Sequence, residues 1–265
     1  MLIWKFLFRK SWRILLKNRR NQIEEFINEN GAVSFSLLKT AFPTVSEMTL
    51  RNDLKALDEM RLIVRVHGGA KSVDRIIGTD DLLNKRFCRN VEKKRCIAEK
   101  AANLIYPSTS IFLDSGSTVT ELARKFPDEP HLVFTSGIHC AIELAKLSKV
   151  QIFMPGGKIN PSSMSISGSD SCEKIREMNY DIAFLGTTGY MKTTGFNCGA
   201  LEESSLKRAV ISRAETTVLL MDSSKVEISN TFSFANVQDI DILISDDELD
   251  PQIAEYFRNN NIKVL

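Results

Sequence analysis

Five short segments of this 265-residue chain concentrate the side chains able to do chemistry: Asp114-Ser-Gly-Ser-Thr118, Thr135-Ser-Gly137, Pro155-Gly-Gly-Lys158, Gly186-Thr-Thr-Gly189 and Asp222-Ser-Ser-Lys225. Each follows an apolar run that reads as a strand. Gly116 lets backbone approach an anion, and Ser117 and Thr118 open a helix whose free amides and positive dipole end favour phosphate. Gly156 and Gly157 repeat the small-residue pattern, Lys158 and Lys225 add full positive charge, and the hydroxyls of Ser115, Thr135, Ser136 and Ser223 suit sugar oxygens. The combination points to a phosphorylated polyol. Singly, each feature has a plainer reading, as a turn, a solvated lysine or a glycine pair serving close packing. Together at the ends of successive strands they favour a site.

A second group lies between Ser46 and Lys55. The Ser46 hydroxyl is placed to cap the Thr49 amide, and Leu50, Leu54 and Leu57 recur at the spacing of a buried helical face. Glu47, Met48, Thr49, Arg51, Asn52 and Lys55 are left facing outward. That face suits a DNA major groove, where Arg reads guanine, Asn reads adenine and Lys neutralises phosphate. Arg65 and His67 follow in a hairpin, a strand at Leu62–Val66 and a turn at His67–Gly69, positioned as a wing.

The elements that must position these groups follow from periodicity and breakers. A supporting helix is expected over Arg19 to Asn30, with Ile23, Phe26 and Ile27 inward and Gly31 as its C′ residue. A short helix then uses Phe35, Leu37, Leu38, Ala41 and Phe42, closed by Pro43. After a charged connector at residues 73–90, strands are expected at Ser110–Asp114, His131–Thr135, Val150–Met154, Asp181–Leu185, Thr216–Met221, Asp241–Ser245 and Ile262–Leu265. Helices fill residues 91–105, 117–126, 138–147, 170–178, 202–214 and 250–258. Such alternation implies an α/β domain with a mainly parallel sheet covered on both faces, and ligands in such sheets sit beyond the carboxyl ends of the strands. The organisation expected is an extension at 1–18, a winged helix-turn-helix at 19–72, the linker at 73–90 and a sensing and oligomerising domain at 91–265.

Composition bounds the classes. With 43% hydrophobic and 26% charged residues the chain is an ordinary globular protein. Residues 1–71 hold thirteen Lys and Arg against seven Asp and Glu, whereas the remainder is net acidic, which is the footprint of a nucleic-acid module at one end. Cys88, Cys96, Cys140, Cys172 and Cys198 match neither a disulfide framework nor a zinc site, and read as reduced, buried thiols of a cytoplasmic protein. No metal and no cofactor is expected. Within residues 1–18 the basic residues interrupt every apolar run, so neither a membrane span nor a signal peptide is expected. That segment reads as a helix packed on the winged module or as an upstream start with little function, ahead of a basic arm on DNA or membrane.

The stretch VSEMTLRNDLKALDEM followed by VRVHGGA resembles the signature of the DeoR-type bacterial transcriptional regulators. Asn52 stands where that family usually carries a second Arg, Arg61 where it has glycine, and Phe42–Ser46 is one residue longer than its usual turn. IFLDSGSTVTELA, VFTSG, MPGGK, AFLGTTGYMKTTGF, ESSLKRAVI and LLMDSSK resemble successive landmarks of the family's effector domain. The resemblance implies a fold like ribose-phosphate isomerase and a phosphorylated metabolite as effector. Carried over by position, it implicates Asp114, Gly116, Ser117, Thr118, Thr135, Gly156, Gly157 and Lys225, with Glu203 near the site; Lys158 is added on chemistry alone. Repression, the family's commoner mode, is expected on the resemblance alone, whereas a homo-oligomer, dimer or tetramer, on double-stranded operator DNA is expected because one recognition helix reads only a few base pairs.

A sugar-phosphate isomerase or deaminase is the main competitor, with Asp114 or Glu203 as general base. No such enzyme needs the basic winged module, and His67, His131 and His139 form no evident relay. A P-loop is excluded because Ile152 and Ile159 occupy the positions needing glycine and Ser or Thr. No G-x-S-x-G or H-E-x-x-H occurs. A third class is a DNA-binding scaffold whose second domain only oligomerises.

Overall fold

The computed structural model describes residues 19–28, 30–60, 62–66, 68–72 and 83–265. Residues 1–18, Arg61, His67 and the linker residues 73–82, for which expectations were stated above, lie outside the described residues. The chain divides into two compact units, residues 1–79 and 80–265.

In the first unit, helix α1 at residues 19–28 buries Ile23 and Ile27 completely, while half-buried Phe26 meets Phe42 edge-on at 5.8 Å. Gly31 follows with φ +67°, the left-handed conformation that stops a helix. Strand β1 (Ala32–Ser34) comes next, and the periodicity did not reveal it because three residues are too few to show alternation. Helix α2 (Phe35–Ala41) is capped by Ser34, whose Oγ accepts from the Leu37 amide at 3.1 Å. Leu38 is buried but Leu37 is 43% exposed, so the apolar face of α2 is narrower than expected. Helix α3 (Glu47–Glu59) starts at Ser46, whose Oγ accepts from the Thr49 amide at 3.2 Å, and buries Leu50, Leu54 and Leu57. Strands β2 (Ile63–Val66) and β3 (Gly69–Ser72) form the wing, and β3 lies between β2 and β1 in a three-stranded antiparallel sheet. Gly69 is required there, since a Cβ would come within 2.0 Å of the Val33 carbonyl oxygen.

Asp53 departs from the pattern of a polar outer face. It is buried within α3 and accepts from Arg19 Nε at 2.6 Å and Arg20 Nε at 2.9 Å, which ties α1 to α3 by two charge-assisted bonds.

The second unit begins with α4 (Leu83–Cys88) and α5 (Val91–Ala102), then alternates strands and helices. These are β4 (Ser110–Leu113), α6 (Ser117–Arg124), β5 (His131–Thr135), α7 (Ile138–Leu144), β6 (Val150–Phe153), β7 (Lys158–Asn160), β8 (Ser165–Ser167), α8 (Ser169–Arg176) and β9 (Tyr180–Gly186). There follow β10 (Gly189–Met191), β11 (Gly195–Cys198), α9 (Leu201–Ile211), β12 (Ala214–Leu220), β13 (Phe232–Ala235), β14 (Ile242–Ile244), α10 (Pro251–Asn259) and β15 (Lys263–Val264). All seven expected strands join one parallel sheet, ordered β15-β14-β12-β9-β4-β5-β6. Two small antiparallel sheets, β7-β8 and β10-β11-β13, were not expected from periodicity.

Alternation along the strands divides the core between the faces. In β4, Phe112 packs with Ile175, Leu206, Val210 and Phe257 of α8, α9 and α10. Its neighbours Ile111 and Leu113 pack with Ile97, Val119, Leu122 and Leu144 of α5, α6 and α7. Each such fully buried side chain contributes about 1.5–3 kcal/mol relative to exposure. The cysteines form no disulfide, with Cys140, Cys172 and Cys198 buried; Cys88 is exposed, which corrects the expectation that all five are buried.

Candidate functional site

The sheet reverses direction of growth between β4 and β9: β5 and β6 are added on one side, β12, β14 and β15 on the other. Loops leaving the carboxyl ends of β4 and β9 therefore diverge and open a crevice. The cleft found there is lined by Ser115, Gly116, Ser117 and Thr118 after β4, by Gly186, Thr187 and Thr188 after β9, and by Asp222 and Lys225 after β12. Gly116 has φ +110°, a conformation side chains resist, and leaves the first turn of α6 without a side-chain cap. Its free amides open toward the cleft's glycine and hydroxyl residues, an arrangement suited to an anion.

Charge is supplied from outside the strand ends. Arg86 of α4, Arg89 and Asn90 of the turn, and Lys94 of α5 all line the cleft. The Arg86 guanidinium stands beside the start of α6, its Nη1 4.0 Å from where a Cβ on Gly116 would lie. Lys94 is buried and its ammonium donates to the carbonyls of Arg86 and Arg89, holding the end of α4 and the following turn. Burial pushes the Lys94 pKa down to about 8, opposed by Asp222 and reinforced by the charges of Lys225, Arg86 and Arg89.

The floor is a buried ion pair. Lys207 of α9 donates to Asp114 Oδ2 and to the Gly186 carbonyl at 2.9 Å, and the Gly186 amide donates to the same Asp114 oxygen at 2.9 Å. Burial disfavours the Lys207 charge, yet Asp114, Cys198 and Glu203 together outweigh it and hold the ammonium pKa above its ordinary value. Asp114 thus lies beneath the cleft as an anchor between β4, β9 and α9. Glu203, one turn before Lys207, lines the cleft and accepts from Ser163 Oγ and from Ser165 Oγ at 2.8 Å. Asp222 accepts from Asn90 Nδ2 at 3.2 Å.

The remaining expected residues lie elsewhere. Thr135, the last residue of β5, and Ser136 after it are buried, and Thr135 Oγ1 accepts from the Gly137 amide at 3.0 Å. The Gly156-Gly157 turn packs on α8, and a Cβ on Gly157 would meet Ser171 Oγ at 2.2 Å. Lys158 is exposed in β7, paired with β8. Ser223 bonds Asp246. None of these lines the cleft: residues 135–136 lie at the end of β5 and 156–158 after β6, on the far side of β4 from β9, and Ser223, after β12, is taken up by Asp246. Arg86, Arg89, Lys94 and Lys207 were missed; Lys94 and Lys207 had a signal, each being a lysine in line with the apolar stripe of its helix.

In the first unit, Glu47, Met48, Arg51, Asn52 and Lys55 are exposed along α3, with Met48 at 70%. Thr49 is half-buried, its hydroxyl 2.8 Å from Ser46 Oγ. Lys55 pairs with Glu59 at 3.8 Å, an exposed contact of little weight. Arg65 is exposed in β2, and its amide donates to Asp58 Oδ1 at 3.0 Å. Among the described residues no cluster of His, Cys, Asp and Glu would hold a metal, and no helix is long and apolar enough to cross a membrane.

Comparison with known proteins matches two family descriptions to the two units. Residues 19–76 match the DeoR-like helix-turn-helix domain and residues 89–247 the DeoR C terminal sensor domain. The HTH-type transcriptional regulator GolR of Listeria innocua is 31% identical over 250 residues, covering 93% of this chain and 96% of that protein. A putative aga operon transcriptional repressor of Escherichia coli O157:H7 is 28% identical over 249 residues, covering 93% and 92%. Among solved structures, ribose 5-phosphate isomerase A from Methanocaldococcus jannaschii overlaps 52% of this chain and 55% of its own at 19% identity and a TM-score of 0.39.

Proposed function

This chain belongs to the DeoR family of helix-turn-helix transcriptional regulators, and from that membership we propose that it represses a carbohydrate-utilisation operon and releases its operator when a phosphorylated sugar fills the cleft between β4 and β9. The observation that carries this reading is the cleft itself, where the uncapped start of α6 meets Arg86, Arg89, Lys94 and Lys225 beside hydroxyl and carboxylate groups. Cations and helix-end amides gain most from a phosphate dianion, and Glu203, Asp222, Thr187 and Thr188 offer partners for sugar hydroxyls.

On DNA the protein acts as a homo-oligomer, dimer or tetramer, because one recognition helix reads only a few base pairs and specificity against a genome needs paired half-sites. Arg51, Asn52, Lys55 and Met48 of α3 face the major groove, with Arg65 of the wing on the backbone. Release requires that the sugar bind the DNA-incompetent arrangement more tightly, and a coupling of about 1–3 kcal/mol suffices.

The experiment is a thermal-shift screen of phosphorylated sugars and their unphosphorylated parents against the full-length protein, followed by operator binding with each ligand that stabilises it. A phosphorylated sugar that raises the melting temperature and weakens operator binding is the expected result. Stabilisation by the free sugar alone, or by no sugar phosphate, overturns the reading.

A further inference from the structure

The recognition helix carries an arginine held by a residue outside that helix. The guanidinium carbon of Arg51 lies 4.2 Å from the centroid of the Phe35 ring, a cation–π stack. Phe35 is the first residue of α2, and its amide donates to the Gly68 carbonyl of the wing turn at 2.7 Å. Gly69, the next residue, is in close contact with β1 at Val33. The backbone beneath the ring is therefore fixed from two sides, by the helix it starts and by the wing it bonds. Arg51, Arg65, Val66, Gly68 and Gly69 line one concavity with Phe35 between α3 and the wing, and both arginines are exposed.

We infer that Phe35 is a positioning residue for DNA recognition, whose ring holds the Arg51 guanidinium in the cleft between recognition helix and wing before DNA arrives. A free arginine loses several rotatable bonds when it is fixed on DNA; one already stacked loses fewer. Stacking engages the face of the guanidinium and leaves the N–H donors in its plane for a guanine edge or a phosphate. A lysine at 51 has no planar face to stack. The inference rests on the reading that Arg51 contacts DNA, and the test separates the two.

The probe is the duplex that the full-length protein selects from random-sequence DNA, with unselected random duplex as the non-specific reference. Phe35→Leu keeps an apolar side chain and removes the ring. It should weaken binding of the selected duplex roughly two- to five-fold, while Phe35→Tyr binds as wild type. In an Arg51→Ala background, itself weakened, Phe35→Leu should cause no further loss. Wild-type affinity in Phe35→Leu, with Arg51→Ala weakened, overturns the positioning role and leaves the reading of Arg51 standing. An equal loss from Phe35→Leu in both backgrounds shows a packing role and overturns it as well. Wild-type affinity in Arg51→Ala overturns the reading of Arg51 itself.

Discussion

Lys207 and Asp114, 93 residues apart in the chain, form a buried ion pair beneath the cleft, joining α9 to the end of β4. Asp114 also takes the Gly186 amide, so one carboxylate fixes the two strand ends that diverge at the crevice. Lys207→Met leaves that carboxylate buried without its cation and should destabilise the fold by about 3–5 kcal/mol. Urea denaturation measures it. Adding Asp114→Asn to Lys207→Met should recover part of the loss, because the uncompensated charge is gone. A Lys207→Met protein as stable as wild type would remove the pair from the architecture.

Lys94 gives the cleft a pH dependence. Its pKa in the folded protein, about 8, lies below the ordinary 10.5, because of burial and neighbouring cations. Between those values the unfolded chain keeps the proton that the folded chain has lost, so this residue's contribution to stability rises with pH across that window. An anion in the cleft favours the protonated form. Ligand binding near pH 8 should therefore take up protons, and affinity should fall as pH rises through 8. Calorimetry in buffers of different ionisation heat reads the uptake; none at pH 8 contradicts this electrostatic account.

Lys225 lines the cleft from the short 3-10 turn after β12, which is held by the Lys225 backbone amide on the Asp222 carbonyl at 3.0 Å and by Ser223 on Asp246, bonds that an alanine at 225 keeps. Lys225→Ala should leave DNA binding and melting temperature unchanged while operator release demands at least about tenfold more phosphorylated sugar, one lost charge-assisted bond being worth roughly 1.5–3 kcal/mol. Release at the wild-type concentration removes Lys225 from the site.

Asp53 concerns the other unit. Asp53→Ala deprives Arg19 and Arg20 of their shared partner inside the winged module and should lower its stability by about 1–3 kcal/mol. The two arginines are partly exposed, so water recovers some of what they lose. Circular dichroism on the full chain should show a lower first transition, and operator affinity should fall only as far as that unfolding requires.

Much of the local structure follows from the sequence alone, because it depends on neighbours a few residues away. Ser46 beside Thr49, and Leu50, Leu54 and Leu57 at helical spacing, sufficed to place α3 and its outward face. Apolar runs bounded by glycine and hydroxyl residues likewise located every strand of the parallel sheet. The order of those strands was decided only by tertiary packing. Local periodicity says that a strand is buried on both faces and nothing about which strand lies beside it. Because β9 lies beside β4 while β6 lies beyond β5, the glycines and lysine at 156–158 fall away from the cleft while Thr187 and Thr188 enter it. The same packing brings Arg86, Arg89 and Lys94 to the start of α6 and buries Asp114 with Lys207, as the packing of α1 on α3 in the other unit buries Asp53; the burial of these charges depends on partners 33 or more residues distant.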